Sequence, residues 1–554
     1  MNDALTDREI ARQFARDFRA WRMDPGGAAM TQAELSQRSG VGLTPLKRFE
    51  KTGGITLNNL VALLRALNLL DRLHSLLPAP ATPGPLEILK ADRASPARGR
   101  RARSGRRRSA GVADARAAEV RIWDRSVGAI APLSGRPGIY EFEYEPQFLR
   151  SGIEISPLHL PAGPGRFSFP ALNPETFRGL PGVIADALPD KFGNALIDAD
   201  MARHGITAAT ITTLQRLLHT GRRAMGALEF EPAMGDRDGA AIAQPLAMAA
   251  LVEDARRALR GELDAIAGDI IDVGSSAGGA RAKAVIGWNP KTNDVVSGQF
   301  EVPPGFEHWL LKFDVGADRR LGSTAGFGRI EYAHYHMATA AGIEMSPCRL
   351  LEEHGRAHFM TRRFDREGNR KLHLHSLCGL AHLDFNTPYV HGYEQYLRSI
   401  LQMKLGAQAI EQAWLRCAFN VAAVNCDDHT KNLAFLMDDT GRWRLAPAFD
   451  MCFAHNPDVE RWTRRHQMLV NGKAWDITAQ DLVDLGSAFG VNQPKVLLGK
   501  VVEAVGRWPR LAKDAGVPAA QVRRISALQP RLALPRPAKT PRAVAKKPAR
   551  TKKR

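Results

Sequence analysis

The sequence predicts a multidomain α+β protein: an all-α bundle first, then a small β subdomain, then a larger body of mixed α and β elements. Three observations lead there. A chain of 554 residues is too long for one hydrophobic core, so three or four domains are expected. Apolar residues recur at helical spacing over 31–70 and alternate with polar ones beyond residue 119. Between these regions lies a stretch of Pro, Ala and Arg with little to build a core from.

Composition narrows the class. With 44% hydrophobic and 24% charged residues, the chain reads as an ordinary globular protein. MNDALTDREIARQF carries no apolar h-region, and no run of about 18 uncharged apolar residues follows, so neither a secretory signal nor a membrane span is expected. Cys348, Cys378, Cys417, Cys426 and Cys452 form no C-x-x-C pair, which predicts a reduced, cytoplasmic protein without a zinc framework. The net charge of +19 is concentrated. Residues 98–108, RGRRARSGRRR, carry seven arginines and no acid, and residues 531–554 carry ten Lys/Arg and no acid. Both segments are expected to be disordered, as solvated linker and tail or as a non-specific grip on polyanions such as nucleic acid.

The first element is TQAELSQRSGVGLTPLKRFEK, residues 31–51. A short amphipathic helix ends at Gly40, Val41-Gly42 make a turn, and a second helix runs from about Leu43 to Lys51. Leu46 and Phe49 face inward, leaving Thr44, Pro45, Lys47 and Arg48 outward. LNNLVALLRALNLL, residues 57–70, supplies a third helix to close the bundle. A helix, a glycine turn and a second helix with basic outward residues suit a unit that enters the major groove, although a small dimerisation bundle would look similar. The run Gln32, Leu35, Gly40, Val41, Leu46, Glu50 resembles the Xre/Cro-type helix-turn-helix. Gly42 stands where a capping serine is usual, and Ser36 where alanine is usual. The resemblance implies operator DNA as partner, with Gln32, Thr44, Pro45, Lys47 and Arg48 as contacts, and a two-fold homodimer.

The second element of note is VNCDDHTKNLAFL, residues 424–436, which crowds polar groups between two apolar runs. Burying them costs free energy unless each finds a partner. Three chemistries could use them. A metallohydrolase would take Asp427, Asp428 and His429 as ligands but needs further ligands that no motif supplies. A nucleophilic triad would need Cys426 or a serine on an elbow. Phosphoryl transfer fits the spacing best: Asp427 and Asn432 make D-x-x-x-x-N, in which the Asp takes a hydroxyl proton and the Asn holds Mg²⁺. Strand LAFLM, turn DDTG and strand RWRLAP then lead to Asp450, a second metal ligand. Upstream, GSSAGGARAKAVIG (274–287) reads as a glycine-rich turn opening into a strand, and EHWLLKFDV (307–315) as a strand carrying Lys312 towards ATP phosphates.

These pieces in this order resemble the HipA family of serine/threonine kinases, the toxins of bacterial toxin–antitoxin systems, over roughly residues 119–510. LPDKFGNALID (188–198), SAGGARAKA (276–284), FMTRRFDR (359–366), NCDDHTKNLAFL and LAPAFDM carry the resemblance. Phe192 replaces the family's tryptophan, and Arg362 its usual glutamate. The resemblance implies a two-lobed protein-kinase-like fold using ATP and Mg²⁺. Asp427 would be the catalytic base, supported by His429 and Lys431, with Asn432 and Asp450 on the metal. Ser276, Gly278, Gly279, Ala280, Lys283, Lys312, Arg362 and Phe364 would bind ATP. Ser276 or Ser275 would be autophosphorylated, acting as an off switch. Asp428 is expected to be structural. The protein substrate, by family analogy, would be a translation factor such as an aminoacyl-tRNA synthetase, and a separate antitoxin component is a further possible partner.

The expected organisation is a helix-turn-helix domain at 1–77, a disordered basic linker at 78–117, a β-rich subdomain at 118–200, a nucleotide-binding N-lobe at 201–400, a helical C-lobe at 401–527 and a basic tail at 528–554. A flexible linker of about 40 residues would span roughly 35 Å and hold the DNA-binding unit at millimolar-scale effective concentration. Such a chain is expected to be nucleoid-associated when bound to DNA, with the fused unit regulating its own operon and restraining the kinase in cis. The rival reading is a transcriptional repressor with a nucleotide-sensing or inactive kinase-like domain.

Overall fold

The computed structural model describes residues 6–24, 28–67, 69–70, 82–94, 115–234, 246–260, 262, 268–274, 281–315, 326–353, 355–458, 462–530 and 532. They fall into two compact units, within residues 1–83 and 84–554. Among the described residues no helix is long and apolar enough to cross a membrane. The arginine run at 98–108, and all of the basic tail beyond residue 530 except Leu532, lie outside the described residues.

The first unit has four described helices where three are expected from the sequence: α1 (Asp7–Met23), α2 (Gln32–Ser39), α3 (Leu43–Thr52) and α4 (Leu57–Ala66). The additional helix, α1, begins with a Thr6/Glu9 capping box and turns Ala15, Phe18 and Arg22 to the core at helical spacing. Its polar, charged surface hides that narrow stripe. Phe18 meets Phe49 edge-on at 5.1 Å, and Leu35, Leu46 and Leu63 complete the interior. Gly40 ends α2 at φ +72°, a left-handed conformation that costs glycine nothing. Glu50 is buried and bonded to Arg22 at 2.7 and 3.1 Å. Gln32 also donates to Glu50, at 2.6 Å, so this expected DNA contact is engaged within the bundle. Thr44, Lys47 and Arg48 are exposed on α3, with Pro45 partly so.

The second unit corrects the linker. Helix α5 (Pro85–Ala94) lies inside the stretch expected to be disordered and packs Leu86 and Leu89 onto Ala117, Ala129 and Ala131. Asp92 accepts from Arg116 N at 3.1 Å and Nε at 2.9 Å, tying the two sides of the arginine-rich insertion together. The few apolar positions of α5, chiefly Leu86 and Leu89, give little signal beside so much Pro and Arg.

Strands β1 (Ala118–Ile122), β2 (Arg125–Pro132), β3 (Tyr140–Tyr144) and β4 (Arg166–Phe167) form an antiparallel sheet in the order β4-β3-β2-β1-β5. β5 (Leu228–Glu231) pairs with β1, so the subdomain extends past the boundary expected at residue 200. Helices α6 (Gly182–Ala185), α7 (Lys191–Arg203) and α8 (Thr213–Thr220) bridge the gap. Such a return over more than 80 residues leaves no local signal.

Helices α9 (Met248–Arg260) and α10 (Gly268–Gly274) precede a second antiparallel sheet. It contains β6 (Lys283–Trp288), β7 (Val295–Ser297), β8 (Glu307–Lys312), β9 (Cys348–Glu353) and β10 (Arg356–Arg362), in the order β7-β6-β8-β10-β9. Its Ala282/Ala284/Ile286/Trp309/Leu311/Met360 face packs against α7, α9 and α10. Alternation sends Lys283 and Lys312, directly opposite one another, to the other face, towards α11 (Phe327–Ala340).

A short hairpin of β11 (Arg366–Glu367) and β12 (Arg370–Lys371) leads into β13 (His373–Ser376), which pairs with β14 (Ala434–Met437), itself paired with β15 (Trp443–Leu445). Helices α12 (Leu377–Ala381) and α13 (Tyr393–Gln402) share a core with α14 (Ala407–Ala423), α15 (Ala479–Ala488), α16 (Pro494–Gly506), α17 (Trp508–Asp514) and α18 (Ala519–Leu528). The helical lobe therefore begins before residue 400, not at 401. Buried Trp414 and Trp508 are its largest side chains.

The β subdomain meets the helical lobe along a polar seam. Ser156 Oγ lies 2.9 Å from His375 Nε2, whose Nδ1 lies 2.7 Å from Asp186 Oδ2. The row has the order of a hydrolytic triad, but Ser156 and His375 are 1% and 0% exposed, so no substrate reaches them. It works as a tie between domains, reinforced by Ser376 donating to Asp186 through N and Oγ.

Candidate active site

The site forms where the second sheet faces the loop between α14 and β14. β8 ends at Lys312, whose Nζ is bonded to Glu331 of α11 and to Asp450 after β15. Lys312 is 6% exposed and Glu331 2%. Burial disfavours the ammonium, yet the Asp450 and Glu331 carboxylates outweigh it and hold Lys312 protonated well beyond its ordinary range. The same pairing works on Asp450, which burial would neutralise but Lys312 and then Lys283 keep ionised. Lys283 moves the other way: burial and its neighbour Lys312 depress it, and Asp450 offsets this in part.

Glu331 is a member of this cluster that the sequence does not single out. It sits in GRIEYAHYHM, where one acid on a mostly apolar helix gives no motif; only the register of α11 against β8 reveals its partner. Arg281 Nη1 caps its second oxygen at 3.2 Å.

The loop between α14 and β14 carries the remaining groups. Asn432 Nδ2 donates to Asp427 O at 2.9 Å, closing D-x-x-x-x-N on itself. Asn425 Nδ2 donates to Asp450 O at 3.1 Å, fastening the two loops together. Asp450 holds φ +52°, a conformation uncommon for a residue with a Cβ and enriched at functional loops. Phe449 beside it contacts Phe364 with ring centroids 5.4 Å apart.

The adjacent carboxylates differ sharply. Asp428 is 2% exposed and accepts from Tyr393 Oη at 3.0 Å and Gln467 N at 2.7 Å, with His466 Nδ1 at 3.1 Å. It organises the loop and faces no solvent. Asp427 keeps a side chain 44% exposed, with His429 Nε2 3.9 Å away. Lys431 Nζ lies over the Phe385 ring at 5.3 Å and bears electrostatically on Asp186 and Asp190. Asp190, from LPDKFG, caps α7 through Gly193 N, while its Oδ2 is buried without a partner. Burial raises its carboxyl to about 6 despite Lys283 and Lys431.

Arg362 and Phe364 line a cavity of about 520 Å³ together with Glu307, Ser346 and Arg444. Behind it Arg363 and Arg366 converge on fully buried Asp365, which also accepts from Gly226 N at 2.7 Å. Ser275, Ser276, Gly278, Gly279 and Ala280 lie outside the described residues. Asn432 and Asp450 would supply hard oxygen donors, an amide and a carboxylate, of the kind Mg²⁺ takes alongside phosphate oxygens. Among the described residues no group of three or more His, Cys, Asp or Glu could hold a metal on its own.

Residues 118–231 match the HipA N-terminal domain, and residues 275–526 the HipA-like C-terminal domain. No curated protein sequence matches. Among solved structures, the chain is similar to HipA of the Shewanella oneidensis MR-1 toxin–antitoxin system, determined with HipB and operator DNA. The identity is 16%, the TM-score 0.53, and the match covers 74% of this chain and 95% of that one. A second, the Helicobacter pylori proinflammatory kinase CtkA, aligns with 45% of this chain and 94% of its own at 13% identity and a TM-score of 0.26. The chain thus carries both HipA-family domains, the HipA N-terminal domain at 118–231 and the HipA-like C-terminal domain at 275–526.

Proposed function

We propose that this protein is an ATP- and Mg²⁺-dependent serine/threonine kinase of the HipA type, carrying its own DNA-binding regulator at the N-terminus. The observation that carries the reading is the convergence of Glu331, Lys312 and Asp450 beside the Asp427 loop. A lysine paired with a helix glutamate and within reach of a metal-binding aspartate is the arrangement phosphoryl transfer requires.

In this reading Lys312, and Lys283 opposite it, neutralise ATP phosphates; Arg362 and Phe364 flank the base in their cavity. Mg²⁺, held by Asn432 and Asp450, would offset charge on the β- and γ-phosphates. Asp427 accepts the proton of a Ser/Thr hydroxyl as its oxygen bonds to the γ-phosphorus and the bond to the ADP oxygen breaks. His429 and Lys431 support the loop. The loop serines Ser275 and Ser276 are acceptors within the chain, and an aminoacyl-tRNA synthetase is a substrate of the expected class.

Exposed Thr44, Lys47 and Arg48 on α3 support operator binding, most naturally as a homodimer. The Shewanella HipA structure, determined with HipB and operator DNA, supports both an antitoxin-like role for the first unit and DNA as partner. Labelled ATP with Mg²⁺ tests the kinase: wild type should transfer phosphate, and Asp427→Asn and Asp450→Asn should each lose at least about 100-fold. No transfer by wild type to any acceptor would overturn it.

A further inference from the structure

The Asp427 carboxylate has one hydrogen bond among the described residues, and it comes from a distant segment. Gln467, forty positions downstream, donates from Nε2 to Asp427 Oδ1 at 2.9 Å. His429, at 3.9 Å from the same oxygen, is too far for a hydrogen bond. Gln467 is 3% exposed, whereas the side chain that it holds is 44% exposed. A half-exposed aspartate held by nothing samples several rotamers; one tied to a buried amide does not.

The main chain around Gln467 has separate work. Its N–H donates to Asp428, as does Met468 N more weakly at 3.5 Å, and its carbonyl accepts from Tyr389 N at 3.0 Å. Segment 466–468 is thus anchored through Asp428 and Tyr389 whatever the glutamine side chain does. That side chain has a cost, because Gln467 Oε1 is buried without a partner. An orphaned buried acceptor is destabilising, because nothing replaces the hydrogen bond it would make to water. Turning the amide over would aim Oε1 at the Asp427 carboxylate, so the donor faces the acid. Packing alone does not explain an amide here; an apolar side chain of the same shape would avoid the orphan.

We infer that Gln467 is a positioning residue for the catalytic base: its amide holds Asp427 Oδ1 and so leaves Oδ2 as the atom that meets the substrate hydroxyl. The inference rests on Asp427 being that base. Loss of the amide leaves the carboxylate present but misaimed, which affects the maximal rate and not ATP binding.

The test uses the full-length chain, γ-labelled ATP and Mg²⁺, with self-labelling and a Ser/Thr peptide library as acceptors. Relative to wild type, Gln467→Ala should lower the maximal rate about 10- to 100-fold while the half-saturating ATP concentration and the melting temperature stay put. Gln467→Glu carries the more specific signature. Two carboxylates in contact share a proton, and a protonated carboxyl at position 467 can donate as the amide does, so this variant should be slow at about pH 8 and recover towards pH 6. His429, His466 and Asp428 face the pair in wild type and variant alike, so the difference between the two pH profiles isolates position 467. A Gln467→Ala rate within two-fold of wild type, or a wild-type pH profile for Gln467→Glu, overturns the inference while Asp427→Asn remains inactive. A wild type that labels nothing overturns the kinase reading and this inference with it.

Discussion

Lys312 and Asp450 stand 138 positions apart in the chain and form an ion pair, with Glu331 sharing the same ammonium. The three charges are mutually dependent because Lys312 and Glu331 are buried and Asp450 is largely shielded from water. Lys312→Met would remove the cation that the two carboxylates share, leaving Arg281 on the far oxygen of Glu331 and Lys283 near Asp450. Breaking a buried pair from one side costs about 3–5 kcal/mol. The variant should lose about that much stability in urea denaturation and at least about 100-fold in phosphate transfer. Glu331→Gln keeps an acceptor for Lys312 and removes one charge, so it should be milder on both counts. A Lys312→Met protein as stable as wild type would show that the cluster is not the electrostatic unit described.

Asp365 gives a cleaner measure of a buried ion pair, since it lies behind the site. Its carboxylate accepts from both Arg363 and Arg366. Burial would raise its pKa, but the two guanidinium groups hold it below the usual carboxylate range. A depressed carboxyl contributes stability that is present above its unfolded value near 4 and is lost as pH falls through the folded one. Asp365→Asn should therefore be less stable than wild type by a constant margin from pH 9 to 5, narrowing below pH 4. A margin that instead narrowed on going from pH 5 to 9 would contradict the assignment.

Much of the candidate site is legible in the sequence because its parts are local. Lys283, Lys312 and the D-x-x-x-x-N loop each sit in a short stretch whose alternation or spacing is visible, and KAVIGW forms the expected strand from Lys283 to Trp288. What escaped was set by contacts between distant segments. Glu331 and Gln467 have no motif of their own; each acquires a role only when α11 lies against β8, or when residue 467 returns to residue 427. β5 was missed for the same reason. The α5 helix and α1 were hidden differently, by composition: a few buried apolar positions are enough when a neighbouring surface receives them.

The histidines of the domain seam should make stability fall in mild acid. His373 is fully buried, its Nε2 2.9 Å from Ile155 O, and burial followed by the nearby His375 lowers it to about 3. A depressed histidine contributes stability that is complete above its unfolded value of about 6.5 and declines as pH drops towards the folded one. The expected slope from this residue is about 1.4 kcal/mol per pH unit below 6.5. In denaturation curves taken between pH 7 and 5, His373→Gln should flatten the slope by about one proton. An unchanged slope would place the acid sensitivity elsewhere, with His382 next in line because burial and His159 lower it to about 3 as well.

The seam also has a steric test. Gly182 of α6 approaches α12 so closely that a Cβ would lie 2.1 Å from Gly379 O. Real contacts are not that short, so Gly182→Ala must push the β subdomain away from α12. That helix and the turn after it hold the Asp427 loop: Leu377 N donates to Leu433 O at 2.6 Å, and Thr430 Oγ1 to Leu383 O at 2.7 Å. Overpacking of this kind costs about 1–3 kcal/mol, or more where backbone must move. Gly182→Ala should lower the melting temperature and phosphate transfer together. Gly506→Ala is the matching control, because nothing lies within 4 Å of its Cβ position and its backbone is not left-handed. It should be neutral or gain up to about 1 kcal/mol. If Gly182→Ala melted lower yet transferred phosphate at the wild-type rate, the β subdomain would be a passenger on the kinase and not a support for its loop.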